Sequence, residues 1–325
     1  MKLRKMTSAG MMDCKKALEE AEGDFNKAIG IIREKGKLVA AKRADRETSE
    51  GAVKARIAGG KAILVCLGCE TDFVSRNGDF QALADAIADA AIAACPADIE
   101  ALKAVKLADG QTVAEAVEAQ TGKTGEKHVI AYYSVAEAPF FGSYIHTLNG
   151  KLGAVVGFNK EVPVELAKGV AMQIASMNPV SISAEDCPAA VLENEKKIAV
   201  EKTREELVQK AIDAALKKVG INPAHCDSED HIESNTAKGW LTPEQARQAR
   251  DIIAKVGAET LASLASKAQM IAGIVNGRIQ KFMKENTLME QEYQLSDDKK
   301  TVKEALAAVD KDAKVLAFKR FSLAD

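Results

Sequence analysis

The sequence predicts an α+β protein carrying an inserted antiparallel helical hairpin, and three observations support that class. Ala is abundant while aromatic residues make up only 4% of the chain, a balance that favours helices over a large sheet sandwich. Two regions, 51–67 and 128–158, leave helical spacing for alternation and short apolar runs. Two long, charged, Ala-rich helical stretches flank one polar loop at 222–239, the pattern of a helical hairpin. A length of 325 residues is enough for two or three domains with a sizeable core.

The first elements are helical. Leu3 and Met6 lie three apart on a first helix ending near Ser8-Ala9-Gly10. Met11, Cys14, Ala17, Leu18 and Ala21 then recur at helical spacing. Gly23 supplies a C′ stop, and Asp24 caps a helix carried by Phe25, Ala28, Ile29, Ile32 and Arg33 to a further stop at Gly36. Together they form a compact three-helix module. From Lys37 to Gly51 the chain is charged and Ala-rich, a linker that is helical in part.

The period then changes. Val53, Ala55 and Ile57 alternate with Lys54 and Arg56, Gly59-Gly60 follows, and Ala62–Leu67 is apolar throughout, so this is a β-hairpin. Phe80 to Ala94 is a helix with Phe80, Leu83, Ala84, Ile87 and Ala91 on one face. His128–Val135 is a strand; residues 142–146 and 151–158 are two more, joined by a type I′ turn at Asn149-Gly150. Val164–Met177 is a helix that stops before Pro179.

Ala189 to Val219 forms the first arm of the hairpin, ending at Gly220. The second opens with Thr242 as N-cap, Pro243 at N1 and Gln245 at N3, and runs to about Val275. Met289–Leu295 reads as a strand, Thr301–Val309 as a short helix and Val315–Phe321 as a final strand.

Bulk charge and motifs narrow the function. Lys and Arg total 45 against 47 Asp and Glu, a net charge of -2, so nothing demands a polyanion partner. No apolar run reaches transmembrane length, and the basic start Met1–Lys5 is followed by no apolar segment of the kind a secretory signal needs. Six dispersed Cys fit reduced thiols in a cytoplasmic protein. There is no GxxxxGK[ST], HExxH or GxSxG, so no enzyme constellation and no cofactor is indicated. Cys66 and Cys69 form a lone CxxC at the end of an apolar strand, which reads as core packing. The loop holding His225, Cys226, Asp227, Glu229, Asp230 and His231 lacks regular ligand spacing and reads as a solvated hairpin tip.

One segment stands apart. Glu70-Thr71-Asp72-Phe73-Val74-Ser75-Arg76-Asn77 links a strand to a helix and mixes acid, hydroxyl, aromatic and aliphatic groups without amphipathic periodicity. Composition alone leaves two readings: a capping segment with Phe73 tucked into the core, or a loop that presents Phe73 outward.

A family resemblance bears on that choice. Leu3-Arg4 with Thr7–Leu18, and Gly23-Asp24 with Lys27-Ala28-Ile29, resemble the opening signature of the elongation factor Ts family, which normally has Gly where Ser8 stands. Ala40–Ala44 and Glu50-Gly51 continue the match, and Cys69-Glu70-Thr71-Asp72-Phe73-Val74, with Phe80-Gln81 beyond, resembles the second signature. Residues 142–146, 171–175, 276–282 and 301–302 extend it towards the C-terminus, while the hairpin around 190–270 is longer than the family's coiled coil.

The resemblance implies an organisation and a function. Residues 1–50 would be a ubiquitin-associated-like three-helix domain and linker, 51–138 and 139–182 with 276–325 the two related halves of an α+β core, and 183–275 the inserted hairpin. The family are guanine nucleotide exchange factors without a chemical active site or cofactor of their own. The partner implied is elongation factor Tu, bound to GDP and then nucleotide-free, with no direct nucleic acid or membrane contact, and the hairpin is a candidate for self-association. Thr71, Asp72, Phe73 and Val74 map onto the segment that disturbs the partner's Mg²⁺ and phosphate site. Asp72 and Phe73 would act there, while Thr71 and Val74 hold their geometry. Arg4, Met11, Met12 and His146 match secondary contact positions; for Met11 and Met12 helix-start packing, and for His146 an ordinary surface role, stand as alternatives. Two rival functions rest on parts of the chain alone: a binding module made of the N-terminal helices, or a thiol or metal enzyme at Cys66, Cys69 or the His225–His231 loop.

Overall fold

The computed structural model describes every residue except Met1, Ser8, Leu148 and Asn149, together with all side chains but those of Lys5 and Met6 among the rest. The Asn149 half of the expected turn, the Ser8 departure and the side chain of Met6 therefore lie outside the described residues. The chain divides into two compact units, Met1–Ile182 with Leu288–Asp325, and Ser183–Thr287.

The first unit opens with α1 (Lys2–Thr7), α2 (Met11–Glu20) and α3 (Phe25–Lys42). Leu3, Cys14, Ala17, Ala21 and Ala28 are buried between them, and the Asp24 carboxylate accepts the backbone N–H groups of Asn26 and Lys27 as the expected cap. Two expectations need correction. Met11 does not share the buried face of Cys14 and Ala17; it is 63% exposed. Gly36 does not end its helix, because α3 runs on to Lys42 with Gly36 buried in its middle. A glycine there costs about 1 kcal/mol of helix propensity against Ala. Its use is steric: a Cβ built on Gly122 of a neighbouring helix would lie 3.1 Å from the Gly36 Cα, so the two glycines let the backbones approach closely.

Next come β1 (Glu50–Ala58) and β2 (Lys61–Cys69), paired antiparallel across Gly59-Gly60, then α4 (Asp72–Ser75) and α5 (Gly78–Ala94). The short helices α6 (Ile99–Ala104) and α7 (Val113–Thr124), which sequence periodicity did not reveal, precede β3 (Val129–Glu137). The strand order is β1-β2-β3. A second sheet holds β4 (Phe140–Ile145) and β5 (Leu152–Phe158), with α8 (Val164–Met177) following.

The apolar run of β2 is explained by the period of two. Ile63, Val65, Leu67 and Cys69 join the core with Phe80, Ile87 and Leu102, whereas Ala62, Leu64 and Cys66 join a separate core with Phe141 and Val155. In β5, Ala154, Val156 and Phe158 likewise pack with α8, while Val155 faces the first sheet's core. Each half is thus a three-stranded antiparallel sheet with helices outside, and the inner sheet faces bury each other. Tyr132 stacks on Phe321 across this seam with ring centroids 4.5 Å apart.

In the second unit, α9 (Ala189–Lys218) pairs with α11 (Pro243–Leu264) and α12 (Ala268–Asn286), with α10 (Glu229–Ala237) at the tip. Thr242 and Gln245 form the expected capping box. The second arm is not one helix: a 3₁₀ turn at Ala265–Lys267 separates α11 from α12. Nor is the tip merely solvated, since Ile221, Cys226, Ile232 and Leu241 are buried with Leu216 in a small core of their own.

The chain then returns to the first unit through α13 (Val302–Val309) and β6 (Val315–Ser322), which completes the order β4-β5-β6. Met289–Leu295 is not a sheet strand; it forms a 3₁₀ turn at Leu288–Glu290 and a single bridge, Glu292 to Thr301. Buried Gln173 of α8 holds this segment instead, donating to the Glu292 carbonyl at 3.1 Å and accepting from Gln294 N at 3.1 Å. Among the described residues no helix is long and apolar enough to cross a membrane.

Candidate functional site

β2 ends at Cys69, and the next residues are fixed before α4 begins. The Glu70 carboxylate accepts Lys127 N at 2.6 Å and takes both oxygens to Arg43 Nη1 at 3.0 and 3.1 Å. These bonds, the Lys127 N–H first and Arg43 next, hold it below the usual carboxylate range. Thr71 is held by Glu126: its N–H donates to Oε2 at 3.1 Å and its Oγ1 to Oε1 at 2.6 Å. Extended backbone at Thr71 (φ -124°, ψ 155°) then gives way to the helical turn of α4.

That turn is closed from below. Ser75 is buried, donates to the Asp72 carbonyl at 3.1 Å, and has its own carbonyl capped by Gln81 Nε2 at 2.6 Å. Val74 packs on the core beside Phe80. Phe73 is left on the outside, 84% exposed, and Asp72 pairs with Arg76 one turn on at 3.3 Å. Of the two readings that composition left open, the one with Phe73 tucked into the core is therefore wrong. The core side of this turn is taken by Val74 and Ser75, and a single turn of helix cannot also direct the preceding Phe73 inward.

Behind the loop lies His128. Its Nδ1 sits 2.9 Å from the Glu126 carbonyl, which can only accept, so Nδ1 carries the proton. Thr121 Oγ1, 3.3 Å away, donates to the Val117 carbonyl and accepts from the imidazole. Nε2 is buried and has no partner among the described residues. Burial pushes the imidazole pKa down, against the Glu126 carbonyl, which raises it.

The other expected residues lie on separate elements. Arg4 and Met11 line a shallow cavity of about 350 Å³ with Leu3, Cys14 and Leu18. Met12, outside that lining, is 62% exposed. His146 follows β4, its ring edge-on to Tyr144 and its Nδ1 buried without a partner among the described residues. The two cysteines of the CxxC point to opposite faces of β2, three residues apart on a strand of period two. Burial raises both thiols to about 12, so neither is a thiolate at neutral pH. At the tip of the second unit, His231 is paired with Asp227, and among the described residues no group of three or more His, Cys, Asp or Glu is placed to hold a metal ion.

A model of the family described as Elongation factor TS matches residues 70–325. A protein named Elongation factor Ts from Bacteroides fragilis is 51% identical over 322 residues, covering 99% of this chain and 96% of the relative. The namesake from Bacteroides thetaiotaomicron has the same identity and coverage, and that from Porphyromonas gingivalis is 37% identical over 322 residues. The chain belongs to the elongation factor Ts family.

Membership places the protein in protein biosynthesis, at translation elongation. The α+β core and helical insertion are those expected of an elongation factor Ts. The residues that sequence reasoning missed are Arg43, Glu126, Lys127 and His128. Glu126 stands 55 positions from Thr71 in a tight turn after α7, and no local pattern marks a partner at that separation.

Proposed function

We propose that this protein is a guanine nucleotide exchange factor for elongation factor Tu. It binds the GDP-bound partner, opens its Mg²⁺ and phosphate site, and leaves it free to take GTP. The observation that carries this reading is Phe73: a large apolar side chain held 84% exposed on a turn anchored by hydrogen bonds at Thr71 and Ser75. Such a group gains about 1.5–3 kcal/mol when fully buried, and here only another molecule can supply that burial. A mobile loop would spend part of that gain on being ordered, whereas the backbone that carries this Phe is already held by hydrogen bonds at Thr71 and Ser75.

Exchange follows from linkage. A factor that binds the nucleotide-free partner more tightly than the GDP complex must weaken GDP by the same factor. GDP is held by a phosphate loop and a Mg²⁺ ion, the largest charge in such a site. Phe73 enters between elements of the partner as a wedge, and the acidic Asp72 beside it perturbs the Mg²⁺ and phosphate surroundings. Thr71 and Val74 hold the pair in place through Glu126 and the core. The exposed Met11 and Met12, with Arg4, offer an adaptable second surface for the partner's nucleotide-binding domain, and His146 a contact on the other half. On this reading the factor performs no bond chemistry, needs no cofactor, and works in the cytoplasm beside its partner. The test is release of a fluorescent GDP from elongation factor Tu with and without this protein. A loss of acceleration of about 30-fold or more in Phe73→Ala is expected; acceleration equal to that of the wild type would overturn the wedge.

A further inference from the structure

The α3 helix reaches from the N-terminal module to the exposed loop. It starts under the cap of Asp24, crosses α7 at Gly36, and ends at Arg43, whose guanidinium holds Glu70. The crossing is close: a Cβ on Gly122 would lie 3.1 Å from the Gly36 Cα, and one on Gly36 would lie 3.4 Å from the Glu118 carbonyl oxygen. Beside it Arg33 and Glu115 pair at 3.8 Å, and a cavity of about 410 Å³ runs between the two helices, so the tight contact is confined to the glycine pair. Beyond Arg43 the chain stays tied to the same strand start, because Lys127 Nζ donates to the Ala44 carbonyl at 2.7 Å and the Arg46 carbonyl at 2.8 Å.

We infer that α3 is a strut setting the distance and angle between the Met11–Met12 face and Phe73, with Gly122 and Arg43 as its positioning residues. This rests on the proposed exchange function for its use. Two surfaces that meet one partner gain from a rigid link, because engagement of the first raises the effective concentration of the second. A loosened link lowers that concentration but leaves the loop's own action intact once the complex is full. The strut is therefore expected to control the concentration of partner needed for half-maximal rate, and not the saturating rate.

The experiment uses the full chain, elongation factor Tu carrying a fluorescent GDP, and the variants Gly122→Leu, Arg43→Ala and Arg43→Lys. Gly122→Leu improves helix propensity in α7 while forcing the crossing apart, so the core keeps its fold. For Gly122→Leu and Arg43→Ala the half-saturating partner concentration should rise about tenfold, less than the roughly 10²–10⁴ that a complete tether contributes because the link is loosened and not cut. The saturating rate of Gly122→Leu, which leaves the bonds of the loop itself in place, should stay within about twofold of wild type. Arg43→Lys, which keeps the charge, should recover most of the loss. Amide hydrogen exchange of the free protein is the second readout: both damaging variants should exchange faster in residues 36–43 and in residues 71–75. Unchanged half-saturation, a fall in saturating rate alone, or unchanged exchange in either segment would each overturn the strut. If the wild-type protein does not accelerate GDP release, the exchange function falls, and hydrogen exchange still decides whether α3 is coupled to the loop.

Discussion

Thr71 and Glu126 are joined by two hydrogen bonds, Thr71 N to Oε2 at 3.1 Å and Thr71 Oγ1 to Oε1 at 2.6 Å. One carboxylate thus satisfies both donors of the residue that precedes the Asp72–Phe73 turn. Hydrogen bonds to a charged acceptor contribute about 1.5–3 kcal/mol, more than a neutral pair. Glu126→Gln keeps the shape but presents an amide N–H₂ to one of two donors, so one bond must fail. We expect Glu126→Gln to lower stability by about 1–2 kcal/mol, and to raise hydrogen exchange at residues 71–75 more than elsewhere. Urea unfolding and exchange mass spectrometry measure the two effects. Equal exchange in loop and core would mean that Glu126 does not hold the loop.

Phe73 separates function from stability. At 84% exposure it contributes little to the fold, and substitution should change stability by no more than about 0.5 kcal/mol. As a central interface anchor, Phe73→Ala should weaken the action on the partner by about 2–4 kcal/mol, or about 30- to 1,000-fold in the second-order rate of GDP release. Phe73→Leu keeps apolar area without the flat ring and should fall between. A loss of rate accompanied by a fall in melting temperature would instead place Phe73 in the folded core.

Much of this was legible in the sequence, and the failures share a cause. Local pattern found β1 by its alternation, β2 as an apolar run buried on both faces and α8 by its helical spacing, and the Asp24 and Thr242 caps were readable because their partners lie within three residues. Gly36 was misread as a stop because a glycine that ends a helix and one that lets two helices touch look alike in one dimension. The helix α7 was passed over although Thr112 and Glu115 form its capping box, since small residues such as Ala116 and Ala119 give little apolar contrast. Composition put Phe73 on the loop but could not say which way it points. That depends on Val74, Ser75 and Gln81, and on Glu126 from another part of the chain.

His128 makes the fold sensitive to mild acid. Its folded pKa lies below the ordinary value, mainly through burial, so the unfolded chain takes up this proton first. Stability is complete above the ordinary imidazole value of about 6.5 and falls as the pH drops below it, by at most about 1.4 kcal/mol per pH unit for one group. Depressed carboxylates such as Glu70 have the same sign but lose their contribution only at lower pH, below the ordinary carboxylate value of 4.5. The interval between about 5 and 6.5 therefore isolates the imidazole. Unfolding free energy measured in urea across that interval should slope with pH in the wild type and slope less in His128→Gln. Parallel slopes would assign the effect to other groups.

The second half of the core contains an equally specific contact between Gly169 and Tyr293. A Cβ on Gly169 would fall 1.9 Å from the Tyr293 hydroxyl oxygen and 3.0 Å from its Cζ. Tyr293 is buried, and it lies in the segment that Gln173 clamps through Glu292 and Gln294, so the ring cannot move without disturbing those bonds. Gly169→Ala should therefore destabilise the protein by about 1–3 kcal/mol through overpacking, although alanine is the better helix former. Tyr293→Phe removes the atom that collides and should be nearly neutral alone. In combination it should return part of the loss, which gives a coupling energy of about 0.5 kcal/mol or more in a double-mutant cycle. Additive losses would show that Leu295 Cδ1, also 3.0 Å from the built Cβ, or the rest of the ring, and not the hydroxyl, meets the new methyl group.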